Sequence, residues 1–436
     1  MATDPVRQVE ATVFPGETTA ELQRLARRLA ELPPSPAEPY LTVGIDLRAY
    51  GPAAGHRLGL ERFERDAEAL LKKLDAHSVA RLSATTDLTW IIERVGQARV
   101  GSEGMFAFAC AGRNVFEAAA VPVPVPERLS LGPTPELFDL VRMIEDWPPY
   151  AVLVADQQLG VLLLVTGAGP DLRVEVGASD FPRHQHQGGW SQDRFQRRAG
   201  EREDAFAREL AGQARRLVEE RRIEMLVLAA SEPMRTAILD ALHESVSKLL
   251  VGELHHIVEH GRNYDELNPN TVIKLADPIV RRAERAREAE VARKVRDGAG
   301  PGDRSVTGPV DTLTALQTGQ VMTLVLNDDA SVAGWADFTL GLYGVGTVPA
   351  VHPAGGNPAN LVAVNLVQEA VRLALQFDAD VEVIKTDPTS EEGHGRERVV
   401  TATRPRADAA KSMDEFGGIG AVLRFTLAPD LSTARL

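Results

Sequence analysis

Apolar positions recur along this chain at two spacings, one of three to four residues and one of two. Leu22, Leu25, Leu29 and Leu32 keep the first and predict a helix with one buried face. A capping box of Thr18 and Glu21 would begin it, and Pro33, Pro34 and Pro36 end it. The run Tyr40–Asp46 then predicts a strand. Helices are expected over 58–74 and 87–98, strands over 104–111 and 114–120, an extended Val-Pro connector over 121–126, and a short helix over 136–146. Apolar runs at 150–156, 161–166 and 172–176, separated by turn residues, predict a meander. Downstream, Phe195, Ala199, Phe206, Leu210, Ala214 and Leu217 form the stripe of a long helix whose other face is dense in Arg and Glu. A buried strand over 223–230 follows, then a helix with Ser231 as cap and Pro233 in its first turn. A charged helix over 277–297 runs into a Gly-rich linker at 298–302. The last part reads as a strand at 321–326, a helix at 361–377, a strand at 381–384, a charged loop at 388–398 and a closing strand at 419–425.

These alternations divide the chain into an N-terminal helical arm (1–38) and three consecutive α/β domains, at 39–147, 148–305 and 306–436. Composition narrows the class. With 62 acidic against 48 basic residues, the net charge of −14 argues against nonspecific coating of nucleic acid, while leaving room for one basic patch. Aromatics are only 5% of residues, so the cores must be aliphatic. The single cysteine, Cys110, rules out an intrachain disulfide and a cysteine-based zinc site, and it reads as a small buried hydrophobe. No stretch has the length of a membrane span and the start lacks an apolar signal core, so a cytoplasmic location without membrane contact is expected.

Against this acidic background, residues 183–198 reverse sign. Arg183, Arg194, Arg197 and Arg198 face one acid, Asp193, around a loop that holds Gly188 and Gly189. Ser191 is placed to cap the following helix, which puts Gln192 in its first turn, at the positive end of the dipole. A glutamine cannot move a proton near neutral pH. It can orient a water and hydrogen-bond developing charge. The plain alternative is a Gly-rich loop with an ordinary cap. A second candidate, His256-Ile-Val-Glu259-His260, has the spacing of an inverted zinc-peptidase motif, against surface histidines with no metal. The Gly-rich run 341–346 lacks the dinucleotide fingerprint and reads as a structural turn.

The loop and its surroundings resemble the middle domain of the archaeal and eukaryotic class I peptide release factors, in which a meander leads to a Gly-Gly-Gln loop and an Arg-rich helix. His186, Gly188, Gly189, Gln192, Arg194, Phe195 and Arg198 fall in that order. Here Trp190 and Ser191 separate the glycines from the glutamine. That Gly-x-Ser-Gln form is similar to the divergent peptidyl-tRNA hydrolase branch of ribosome quality control and its bacterial and archaeal relatives. The last domain resembles the third release-factor domain, and no stop-codon-reading motif is evident in residues 1–147. The resemblance implies a release-factor-like fold of three α/β domains, the middle one built on a mixed sheet with its Gly-rich catalytic loop before a long helix. It implies hydrolysis of peptidyl-tRNA on stalled large ribosomal subunits, with Gln192 positioning water and Gly188, Gly189 and Ser191 shaping the loop. It further implies contacts to rRNA and tRNA from Arg183, His184, His186, Trp190, Arg194, Arg197 and Arg198. No cofactor is expected, and a GTPase partner stays open. Three alternatives stand beside this reading: cleavage at the tRNA CCA end, docking on the ribosome without catalysis, and zinc hydrolysis through His256, Glu259 and His260.

Overall fold

The computed structural model describes residues 6–13, 18–50, 55–95, 97, 102–166, 169–178, 192–254, 268–298, 304–386 and 408–425. The chain starts with β1 (Val6–Val13) and α1 (Thr19–Ala30), followed by β2 (Tyr40–Asp46), α2 (Gly55–Leu71), α3 (Val79–Val95), β3 (Gly104–Cys110), β4 (Val115–Val121), β5 (Arg128–Gly132) and α4 (Phe138–Asp146). Next come β6 (Tyr150–Ala155), β7 (Leu159–Thr166), β8 (Gly169–Ala178), α5 (Gln192–Arg221), β9 (Met225–Ala230), α6 (Met234–Ala241), α7 (Glu244–Ser247), β10 (Leu250–Glu253) and α8 (Pro269–Asp297). The remainder is β11 (Ser305–Thr307), α9 (Pro309–Gln317), β12 (Val321–Asn327), β13 (Ala333–Asp337), β14 (Leu342–Val345), β15 (Leu361–Asn365), α10 (Leu366–Gln376), β16 (Asp380–Ile384), α11 (Asp408–Asp414) and β17 (Ile419–Leu423). The mixed α/β character expected from the alternating periods is present throughout. Two compact units result, one of residues 1–19 with 147–285 and one of 20–146 with 286–436.

The first unit is a six-stranded sheet in the order β1-β8-β7-β6-β9-β10. The expected meander is there: β6, β7 and β8 pair antiparallel in sequence. The sheet is mixed, because β9 joins β6 in parallel and β10 joins β9 in parallel. Parallel neighbours need crossovers, and α5 supplies the first. The central strand β6 is apolar on both faces because both are covered. Ala151, Leu153 and Ala155 pack with Phe206, Leu210, Ala214 and Leu217 of α5. Tyr150, Val152 and Val154 pack on the other side with Val272, Ile273, Ala276 and Val280 of α8. Each buried Val, Leu or Ile among them contributes roughly 1.5–3 kcal/mol by leaving water.

The second unit holds three smaller sheets, ordered β4-β3-β2-β5, β11-β17-β12-β16 and β14-β13-β15. The first packs Leu41, Val43 and Ile45 against Phe63 of α2 and Leu88 and Ile91 of α3. Buried polar contacts tie its early and late stretches. Thr134 donates to the Glu369 carboxylate at 2.6 Å, the Phe138 N–H to the Gln368 side chain at 3.0 Å, and the Gln376 amide to the Ala30 carbonyl at 2.7 Å. Cys110 is fully buried, as its apolar setting predicted.

Several sequence expectations change. The helix predicted over 361–377 is the strand β15 followed by α10, because Asn365 accepts the Val367 N–H at 3.0 Å and caps a later start. Within the Gly-rich run at 341–346, residues 342–345 form the edge strand β14, paired with β13, while Gly341 and Gly346 flank it at positive φ and keep the turn character expected there. Ser231 is not the cap of α6. Pro233 holds that position with no side-chain bond, and Ser231 accepts the Arg235 N–H through its carbonyl. The charged helix α8 starts at Pro269, eight residues before its predicted start, and carries Pro278 inside it. The arm contains a strand, β1, as well as the expected helix.

Candidate functional site

The site is bounded by a strand that leads into it and a helix that leads out. The antiparallel strand β8 ends at Ala178, and α5 begins at Gln192. Arg183, His184, His186, Gly188, Gly189, Trp190 and Ser191 lie outside the described residues, as do His256, Glu259 and His260. Gln192, Arg194, Arg197 and Arg198 are in α5, where the backbone alone is described. That backbone fixes two things. Gln192 is the first helical residue, among N–H groups with no partner inside the helix, at the positive end of its dipole. Arg194, Arg197 and Arg198 are spaced three and four apart, on one side of the first turns.

The anchoring of this helix is visible in detail. Its described side chains become fully buried from Phe206 onward, with Phe206, Ala207, Leu210, Ala211 and Ala214 all at 4% exposure or less. Gln192 therefore starts about 20 Å along the axis from the first firmly seated residue. The tightest contact is with β7. A Cβ added at Gly160 would lie 2.2 Å from Cδ2 of Leu210 and 3.1 Å from its Cγ, so α5 sits closer to the sheet than a side chain at 160 allows. Glu203 occupies the sheet-facing stripe one turn before Phe206 and Ala207. Burial and then the charge of Asp204 raise its pKa, and one of its carboxylate oxygens has no hydrogen-bond partner. Neither Gly160 nor Glu203 stood out in the sequence. The available signals were a lone glycine opening an apolar strand and an acid in step with a helical apolar stripe.

On the opposite face of the sheet, Tyr150 is buried with its hydroxyl unpartnered, and burial followed by the charge of Asp277 pushes its pKa above the ordinary range. Arg281 pairs with Asp277 at 3.0 Å and lies 5.0 Å from the Trp147 ring centroid. This group braces α8 against β6. Two further clusters lie in the second unit. His352 accepts the Ala354 N–H through Nδ1 at 3.1 Å, so its Nε2–H faces Asp337 at 3.0 Å, and Asp337 also accepts from the Thr339 hydroxyl and backbone. Both side chains are at 1% exposure or less. Out of reach of any solute, they form a clamp between β13 and the loop after β14. Asp87 of α3 is fully buried and accepts the Ala111 N–H at 2.6 Å, while burial raises its pKa to about 7. Among the described residues, no group of His, Cys, Asp and Glu is arranged to hold a metal ion. Among the same residues, no helix is long and apolar enough to cross a membrane.

Residues 135–296 match the sequence family described as bacterial archaeo-eukaryotic release factor family 10. The matched stretch spans α4, the sheet from β6 to β10, and all but the last residue of α8; β1 falls outside it. Among solved structures, Pelota of Archaeoglobus fulgidus is 14% identical over 98% of this chain and 97% of its own, with a TM-score of 0.31. An archaeal translation termination factor is 15% identical over 94% and 99%, at 0.24. A ribosome-bound archaeal Pelota described with ABCE1 is 14% identical over 96% and 97%, at 0.37. No curated protein matches. The backbone likeness is loose at these scores, and the sequence match covers residues 135–296, less than half of the chain.

Proposed function

We propose that this protein acts on the ribosome in translation termination or rescue, and that it hydrolyses the ester of peptidyl-tRNA held by the large subunit. The observation that carries this reading is the release-factor-like stretch 135–296, within which Gly188-Gly189-Trp190-Ser191-Gln192 ends on the first residue of α5. In the proposed reaction Gln192 orients a water against the ester carbonyl, and the peptide leaves from the tRNA 3′ oxygen, which takes up a proton. The free N–H groups at the start of α5 favour the negative charge that develops on the carbonyl oxygen. Gly188 and Gly189 keep the loop narrow, and Arg194, Arg197 and Arg198 meet backbone phosphates with Arg183, His184, His186 and Trp190 beside them. The ribosome's hold on the ester supplies most of the rate, so the protein alone is nearly inert toward free peptidyl-tRNA.

The test uses purified large subunits carrying peptidyl-tRNA. The protein releases peptide and leaves an intact tRNA ending in CCA. A tRNA shortened at its 3′ end instead assigns the loop to nuclease chemistry, and subunit binding without any cleavage reduces the protein to a docking factor.

A further inference from the structure

The direction in which the chain leaves β8 depends on how its last residue, Ala178, is held. β7 gives little help there. The turn before it is closed by Asp156, whose carboxylate accepts the N–H groups of Gln158 at 2.7 Å and Leu159 at 2.8 Å, so β7 cannot begin before Leu159. Leu159 pairs with Gly177, and the β7 ladder stops at that pair. On the other side β1 continues one residue farther. Gln8 pairs with Gly177 and Val6 with Ala178, across a register shift between Val6 and Gln8. The extra residue, Arg7, belongs to β1, so the bulge bends β1 while Val6 stays paired with Ala178, the last residue of β8. Without β1, β8 becomes the sheet's edge, and a strand end paired on neither side frays. β1 also lies outside the matched stretch 135–296, far along the chain from the strands it joins.

We propose that β1 is a positioning strand for the loop: pairing with Gly177 and Ala178, it fixes the direction in which the chain leaves β8 toward residues 179–191. The role in catalysis rests on the hydrolase reading above, while the bracing of β8 does not. Seven residue pairs join β1 to β8, from Val6↔Ala178 to Val13↔Leu172, and they make residues 6–13 part of the apparatus that holds the end of β8.

Two full-chain variants test this, deletion of residues 2–13 and the double substitution Val9→Pro with Glu10→Pro. Adjacent prolines ensure that one of them removes a ladder N–H. Hydrogen exchange at residues 172–178 speeds up by about tenfold or more, the effect of losing one or two net backbone hydrogen bonds. Exchange in β6 and β9 stays as in the wild type. Single-turnover peptide release slows at saturating subunit, and the apparent affinity for the subunit holds. Unchanged exchange at 172–178 overturns the proposal, as does an equal acceleration in β6 and β9, which makes β1 a general stabiliser. Local loosening with release at the wild-type rate removes the positioning role. If the wild type releases no peptide, the hydrolase reading fails, and the exchange result still decides whether β1 braces β8.

Discussion

The seating of α5 on β7 makes one consequence calculable. Gly160→Ala places a methyl carbon 2.2 Å from a buried Leu210 methyl, well inside contact distance. Leu210 is fully buried in one cluster with Leu162, Leu164 and Phe206, so moving its side chain aside disturbs that packing and otherwise the helix lifts. Overpacking of this kind costs about 1–3 kcal/mol. Leu210→Ala alone leaves a cavity and costs about 2–5 kcal/mol. In the double variant the new methyl partly fills that cavity, so the combined loss falls short of the sum by roughly 0.5–3 kcal/mol. Function responds more steeply. Gln192 lies eighteen residues before Leu210, or about 27 Å along the helix, so a tilt of about 5° at Leu210 moves it by about 2 Å. Misplacement on that scale costs about a hundredfold in rate. Native-state hydrogen exchange of β6 and β9 amides reads the stability of this unit, and single-turnover release reads the geometry. Strict additivity of the two substitutions, or full release by Gly160→Ala, would refute the view that this contact sets the helix.

Three further outcomes follow from other residues. Asp87 is neutral in the fold up to about pH 7 but ionises near 3.8 when unfolded, so its burial carries no ionisation cost below pH 4 and a growing one from pH 4 to 7. That difference is about 4 kcal/mol, and Asp87→Asn should flatten the decline of urea stability across this window, whereas an unchanged profile means that Asp87 does not titrate there. Asp337 behaves in the opposite sense: the Thr339 hydroxyl, followed by His352 and backbone N–H groups, hold its pKa at about 2. The stability it provides is complete above pH 4 and lost as pH falls through 2, so Asp337→Asn lowers the melting temperature at pH 7 but narrows the gap to wild type at pH 2. Replacing Arg197 and Arg198 by alanine reduces the slope of log affinity for the subunit against log salt by roughly 0.7–0.9 for each phosphate no longer neutralised. A slope equal to wild type removes these residues from the RNA interface.

Strong periodicity made much of this fold legible. The 3.6-residue stripe from Phe206 to Leu217 and the meander at 150–176 each fall where tertiary packing repeats the local pattern. The features that stayed hidden have identifiable causes. β1 is a polar edge strand, Val6-Arg-Gln-Val-Glu-Ala-Thr-Val13, whose partner lies more than 150 residues away, so nothing local marks it. β15 and α10 abut at one cap residue, Asn365, and the apolar run Leu361-Val-Ala-Val364 merges into the helical run after it. Pro278 made the start of α8 look later than it is, because a proline inside a helix reads as a boundary. For the candidate site, the sequence supplied the chemistry, a glutamine at a helix start among arginines. It could not supply the support: the contact of Gly160 with Leu210 and the pairing of Val6 with Ala178 both depend on strands distant in the chain.

In the proposed reaction Gln192 positions water for ester hydrolysis on the large subunit, and the release rate without its side chain decides whether it does. Gln192→Ala, mixed at saturating concentration with large subunits bearing peptidyl-tRNA, should bind them as the wild type does. Its single-turnover release should be slower by about 10²–10³, the usual effect of removing one preorganised donor from a developing charge. Release at the wild-type rate by this variant contradicts the account.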